Sequence, residues 1–102
     1  MDRFAALADP TRRRLVEILG SGERPAGALG EDFEISPPAI SQHLKALREA
    51  GLVRVRVDGQ RRIYSLDPSG FEEMEAWFAR MRRFWSGRLD ALERELSKEE
   101  GK

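Results

Sequence analysis

Polar and apolar positions along this chain change period twice. From Pro10 to Leu19 the apolar residues Leu15, Val16, Ile18 and Leu19 recur at helical spacing, which leaves Arg12, Arg13 and Arg14 astride the solvent side. Asp9 is a good N-cap, Pro10 suits a first helical position that needs no N–H, and Gly20 and Gly22 stop the run. Phe4 and Leu7 predict a short helix upstream. The stretch RPAGALGEDF predicts a weaker one, started by Pro25. Gly27 and Gly30 each cost it about 1 kcal/mol relative to Ala, so Leu29, Phe33 and Ile35 must hold it by packing.

The clearest helix follows. In ISPPAISQHLKALREAGLV, Ser36 is the cap, Pro37 takes the first helical position and Gly51 ends the helix. Ile40, Leu44 and Leu47 fall at i, i+4 and i+7, one face for burial. The opposite face carries Ser41, Gln42, Lys45 and Arg48. Helix, tight turn, helix, with small polar and basic side chains on the second helix, is the helix-turn-helix pattern.

After Gly51 the period falls from 3.6 to 2. LVRVRVDGQRRIYSL alternates Val53, Val55 and Val57 with Arg54 and Arg56, turns, and returns. A two-residue turn at Gly59–Gln60 sets Val55 opposite Tyr64, Val53 opposite Leu66 and Asp58 opposite Arg61. A turn one residue earlier would place Arg56 against Arg61, which like-charge repulsion disfavours. The reading is a hairpin with an apolar inner face and an arginine-rich tip.

The last third is one long helix. Phe71, Met74, Phe78, Met81 and Trp85 form a stripe at alternating steps of three and four, which Leu89, Leu92 and Leu96 continue, flanked by Trp77 and Phe84. A chain of 102 residues has too small a core to cover it all. A second copy of the same chain is the expected cover, with Met74, Trp77, Phe78, Met81, Trp85, Leu89 and Leu92 at the seam. The aromatic residues would also suit a ligand pocket, though a core or a seam is the commoner use. Gly87 is a point where the helix can bend, and Ser97–Lys102 is expected to fray.

Composition then removes whole classes of function. No run approaches the ~18 apolar residues of a membrane span, and the first residues lack the apolar core of a secretion signal; a cytoplasmic location is the expectation. With no cysteine and one histidine, thiol redox chemistry and the usual zinc ligand sets are missing, so neither metal nor other cofactor is expected. An enzyme fails on the same inventory. Net charge is zero but unevenly spread: −2 over residues 1–35, +4 over 36–66 and −2 over 67–102. The basic middle third coincides with the reading helix and hairpin, and such local patches attract phosphates.

Three blocks, ALADPTRRRLVEIL, SPPAISQHLKALREAGLV and DGQRRIYSLDP, resemble in order and spacing the ArsR/SmtB family of bacterial winged-helix repressors over residues 4–68. The resemblance implies a mainly α fold with a small β-hairpin: a winged helix-turn-helix over residues 1–68 and a dimerisation helix over 69–102. It also implies a homodimer on an inverted-repeat, double-stranded DNA operator, with recognition helix Pro37–Ala50 and wing Val53–Leu66. The chain looks most like the metal-independent branch carrying S-x-P-A-x-S-Q-H-L, except that Pro37 stands where that branch often has a polar or basic residue.

The residues assigned to DNA are Ser36, Pro38, Ser41, Gln42, His43, Lys45, Arg48, Arg61 and Arg62. Gln can pair with adenine N6 and N7, Ser with bases or phosphates, and Lys with guanine or phosphate. His43 stays open between a packed structural histidine and a phosphate donor. Arg61 and Arg62 either solubilise an exposed edge or reach phosphates and the minor groove, and the context favours the latter. For Arg12–Arg14 a solvated face is the expectation, with a phosphate contact as the alternative. A winged helix serving only protein contact is the competing function, and such modules usually lose the basic wing retained here.

Overall fold

The computed structural model describes residues 1–100, with side chains as far as Lys98. Its elements, in order, are α1 (Arg3–Ala6), α2 (Pro10–Leu19), β1 (Arg24–Pro25), α3 (Ala26–Leu29), α4 (Pro37–Glu49), β2 (Val53–Asp58), β3 (Arg61–Leu66) and α5 (Pro68–Glu100). The chain falls into two compact units, Met1–Phe71 and a second that begins at Glu72.

One device opens three helices: a short oxygen-bearing cap followed by proline. The Asp9 carboxylate accepts the Arg12 N–H at 3.0 Å before Pro10. Ser36 Oγ accepts the Ala39 N–H at 3.3 Å, while Pro37 and Pro38 fill the first two positions of α4. Asp67 accepts the Ser69 N–H at 3.0 Å and its hydroxyl at 2.7 Å, with Pro68 between them. Each cap satisfies an amide that the first helical turn leaves bare.

The C-terminus of α4 is equally well made. Gly51 takes φ +76° beyond the cap residue Ala50. The Gly51 N–H donates to the Arg48 carbonyl at 3.0 Å and the Leu52 N–H to that of Leu47, also at 3.0 Å. This is a Schellman closure, sealed by the complete burial of Leu47 and Leu52. The first turn of α5 comes so close to it that a Cβ on Gly70 would overlap the Gly51 carbonyl oxygen.

The core of the first unit joins Leu15 and Leu19 of α2, Leu29 of α3, and Ile40, Leu44 and Leu47 of α4 to the base of the sheet. Losing a leucine from such a site to Ala typically costs about 2–5 kcal/mol. Sheet order is β1–β3–β2, all antiparallel. The hairpin has the expected register, Val53 with Leu66, Val55 with Tyr64 and Asp58 with Arg61. Only Gly59 of the two turn residues has positive φ, +64°, the pattern of a II′ turn.

Several expectations need correction. The weak helix shrinks to Ala26–Leu29: Arg24 and Pro25 are drawn into the sheet opposite Tyr64 and Ile63, and past the cap residue Gly30 the chain turns. Proline is tolerated there because β1 is an edge. Ile35 is exposed rather than packed, while Val16 and Ile18 are only partly buried. The hairpin's apolar face covers only its root: Val53 is buried and Val57 is 72% exposed. The helical tail extends to Glu100, so Ser97 to Glu100 are not frayed; Gly101 and Lys102 lie outside the described residues.

Taken by itself, α5 has 33 residues, roughly 50 Å at 1.5 Å per residue, and runs unbroken through Gly87. Trp77 and Phe78 meet edge to face with ring centroids 5.2 Å apart, and the Arg88 guanidinium lies 4.3 Å from the Phe84 ring centroid. Met74 is buried and Met81 partly so, whereas Phe78, Trp85, Leu89 and Leu92 are each at least half exposed.

Candidate nucleic-acid interface

Burial of Ile40, Leu44 and Leu47 fixes which way α4 faces. It turns Pro38, Ser41, Gln42, Lys45 and Arg48 to solvent. Pro38, Ser41 or Gln42, and Lys45 follow one another at three- and four-residue steps, so they form one stripe along the helix. Ser36 is also exposed, but its hydroxyl is already occupied as the cap.

The hairpin tip presents Arg61 and Arg62, both exposed. Arg54 and Arg56, on the same ladder, are engaged instead. Arg54 Nε donates to Ser65 Oγ at 3.4 Å across the strands, and Arg56 pairs with Glu23 at 2.7 Å. Arg54 apart, which bonds a serine, the cations of α4 and the hairpin without a carboxylate partner among the described residues are Lys45, Arg48, Arg61 and Arg62.

His43 is partly buried and touches α2. The Arg12 Nη1 lies 3.3 Å from His43 Nδ1, and Asp9 Oδ2 lies 3.9 Å from the same nitrogen. Arg12 is accordingly not a solvated residue as expected. Its Nε donates to the Ala6 carbonyl at 2.6 Å, which ties α2 to the last residue of α1. Arg13 and Arg14 do face solvent, Arg14 in an exposed ion pair with Glu17 at 3.6 Å. Spacing could not reveal the Arg12–His43 contact, since it joins residues 31 apart. The Asp9 carboxyl is held below the usual carboxylate range, chiefly by the Arg12 amide and further by the charge of Arg12.

Among the described residues no group of three His, Asp or Glu side chains gathers to hold a metal ion, and no helix is long and apolar enough to cross a membrane. An exposed polar stripe on a firmly backed helix, beside a basic hairpin, suits binding to an extended anionic surface rather than covalent chemistry.

Known proteins share this arrangement. A family model described as a helix-turn-helix domain matches residues 7–56. The HTH-type transcriptional regulator Rv2034 of Mycobacterium tuberculosis is 45% identical over 86 residues, 84% of this chain and 78% of that protein. The transcriptional repressor SdpR of Bacillus subtilis is 38% identical over 72% of this chain and 82% of its own length. Among solved structures, an ArsR-like transcriptional regulator from Rhodococcus sp. RHA1 superposes with a TM-score of 0.74 at 31% identity, covering 87% of this chain and 84% of that one. With this fold, this exposed helix face and relatives matched over most of their length, the chain belongs to the ArsR family of winged-helix transcriptional regulators.

Proposed function

We propose that this protein is a DNA-binding transcriptional repressor that occupies an inverted-repeat operator as a homodimer. The observation that carries the reading is the division of α4: Ile40, Leu44 and Leu47 lock it to the core, while Ser41, Gln42 and Lys45 stand exposed in one stripe. A helix so held can enter a major groove with its polar edge intact. Arg61 and Arg62 at the wing tip supply phosphate contacts beside the groove, and Ser36, Pro38 and Arg48 flank the stripe. Relatives named as regulators and as a repressor support the same reading.

Homodimerisation is assigned to α5. Trp77, Phe78, Trp85, Leu89 and Leu92 are exposed in the single chain, as a seam is before its partner arrives. Met74, already buried in one chain, contributes less to that seam than its place in the stripe implies. A double-stranded operator has two half-sites, so the dimer would present two copies of α4.

The direct test is fluorescence anisotropy with duplexes from the region upstream of the gene that encodes this chain, against random duplex of equal length, over a salt series. Tighter binding to an upstream segment, with two protomers per site, is the expected result. Equal and salt-independent binding to all duplexes would end the proposal.

A further inference from the structure

We infer that Arg12 is a positioning residue that holds His43 as the neutral tautomer with its proton on Nε2, and that this Nε2–H donates to a phosphate of the operator. The second half of the inference rests on the proposed DNA reading by α4; the first does not. A guanidinium can only donate. Its Nη1 approaches His43 Nδ1 at 3.3 Å, so that nitrogen must offer a lone pair, and the ring proton belongs on Nε2. The competing acceptor, Asp9 Oδ2, is 3.9 Å from Nδ1, beyond hydrogen-bond reach, and already takes the Arg12 amide at 3.0 Å.

Arg12 is well placed to impose this choice because it is itself clamped. Its Nε bonds the Ala6 carbonyl at 2.6 Å and its Nη2 reaches the Ala5 carbonyl at 3.5 Å. Two backbone carbonyls therefore fix the guanidinium before DNA arrives, and little side-chain freedom is left to lose on binding. His43 follows Gln42 directly, so it is turned about 100° from it around α4, toward α2. Its side chain is 23% exposed, between the reading stripe and the buried face. A donor at that edge meets the sugar–phosphate backbone flanking the groove rather than base edges, and a phosphate only accepts.

The test uses the full chain, whose single histidine makes its ring signals unambiguous. Nitrogen-15 NMR of the free protein in mildly alkaline buffer, where ordinary imidazole is neutral, should show Nδ1 unprotonated and Nε2 protonated. Arg12→Ala should then relax the ring to a mixture of tautomers. A ring protonated at Nδ1 in the unaltered protein overturns the inference, whatever the variants do.

The DNA arm is a double-mutant cycle. Arg12→Ala should weaken operator and random duplex alike, by about tenfold. His43→Ala removes the proposed donor and should itself weaken both duplexes by about tenfold. Adding Arg12→Ala to it should then cost much less than tenfold. An equal loss in both backgrounds would show that Arg12 acts independently of His43 and would overturn the inference. If the unaltered protein binds no duplex, the DNA reading and the phosphate contact fall together, while the NMR result still decides the tautomer.

Discussion

Arg56 and Glu23 form a two-pronged ion pair, with Nη2 2.7 Å from Oε1 and Nε 3.4 Å from Oε2. It ties β2 to the segment that leads into β1, so the root of the wing is closed by side chains as well as by its ladder. It also withdraws one arginine from the pool available to phosphates. The hydrogen bonding and the charge of Arg56 hold the Glu23 carboxyl below the usual carboxylate range. A depressed carboxylate contributes above its ordinary titration range and loses that contribution as pH falls through the lowered value. The pair is thus intact at neutral pH and opens only in acid. Glu23→Gln should release Arg56: stability should change little, because the pair is exposed. Affinity for random duplex should rise, and the salt dependence should steepen by roughly one unit for each further phosphate neutralised. Unaltered salt dependence would mean that Arg56 does not reach DNA.

Reading helix and wing should fail differently. Gln42→Ala should lower the operator-to-random ratio, by about 1–3 kcal/mol for a missing bidentate base pairing. Arg61→Ala with Arg62→Ala should weaken both duplexes together and flatten the salt dependence by roughly one unit for each phosphate no longer neutralised. A salt series on operator and random duplex distinguishes the two, and a reversed pattern would exchange the roles.

Asp9→Ala should destabilise the protein by about 0.5–2 kcal/mol at neutral pH, the usual worth of an N-cap. The Asp9 carboxyl is depressed by the Arg12 amide, so its contribution is present above the ordinary carboxylate range and fades as pH drops through the lowered value. Urea melts of the two proteins should converge in strong acid. A gap that stays constant would show that the charge of the cap contributes nothing.

Gly70→Ala places a methyl group against the Gly51 carbonyl oxygen, with the Arg3 guanidinium Nε 3.2 Å away. Backbone must shift to admit it, at a cost of about 1–3 kcal/mol. Chemical denaturation measures this directly; an unchanged midpoint would show that the helix start moves aside freely.

Trp85→Asp and Leu89→Asp each set a charge on the exposed face of α5. Sedimentation should show the dimer weakened, with operator affinity falling more than random-duplex affinity because paired half-sites need paired helices. A monomer before any substitution would refute the seam outright.

Much of this was legible in the sequence because local chemistry and global fold agree. Asp9–Pro10 and Ser36–Pro37 announce helix starts whose physics is confined to four residues, and the hairpin register follows from which charges can stand opposite one another. The exposure of Ser41, Gln42 and Lys45 follows from the period of Ile40, Leu44 and Leu47. What was not legible depends on distant neighbours. A two-residue strand carries no period, so β1 exists only because β3 offers an edge. Arg12 is indistinguishable from Arg13 and Arg14 until the fold brings His43 and the Ala6 carbonyl to it.

Under the proposed reading, the double proline at the start of α4 has a consequence for how DNA would be held. Helix tips ordinarily grip phosphate with spare main-chain amides. Pro37 and Pro38 have none, the Ala39 amide is bound to Ser36 Oγ, and the Ile40 amide donates to the Ser36 carbonyl at 3.1 Å. If α4 meets DNA as proposed, its tip would act as a bearing surface rather than a clamp. DNA could widen or roll against that end without breaking a backbone bond, so tolerance of groove shape would be built in there.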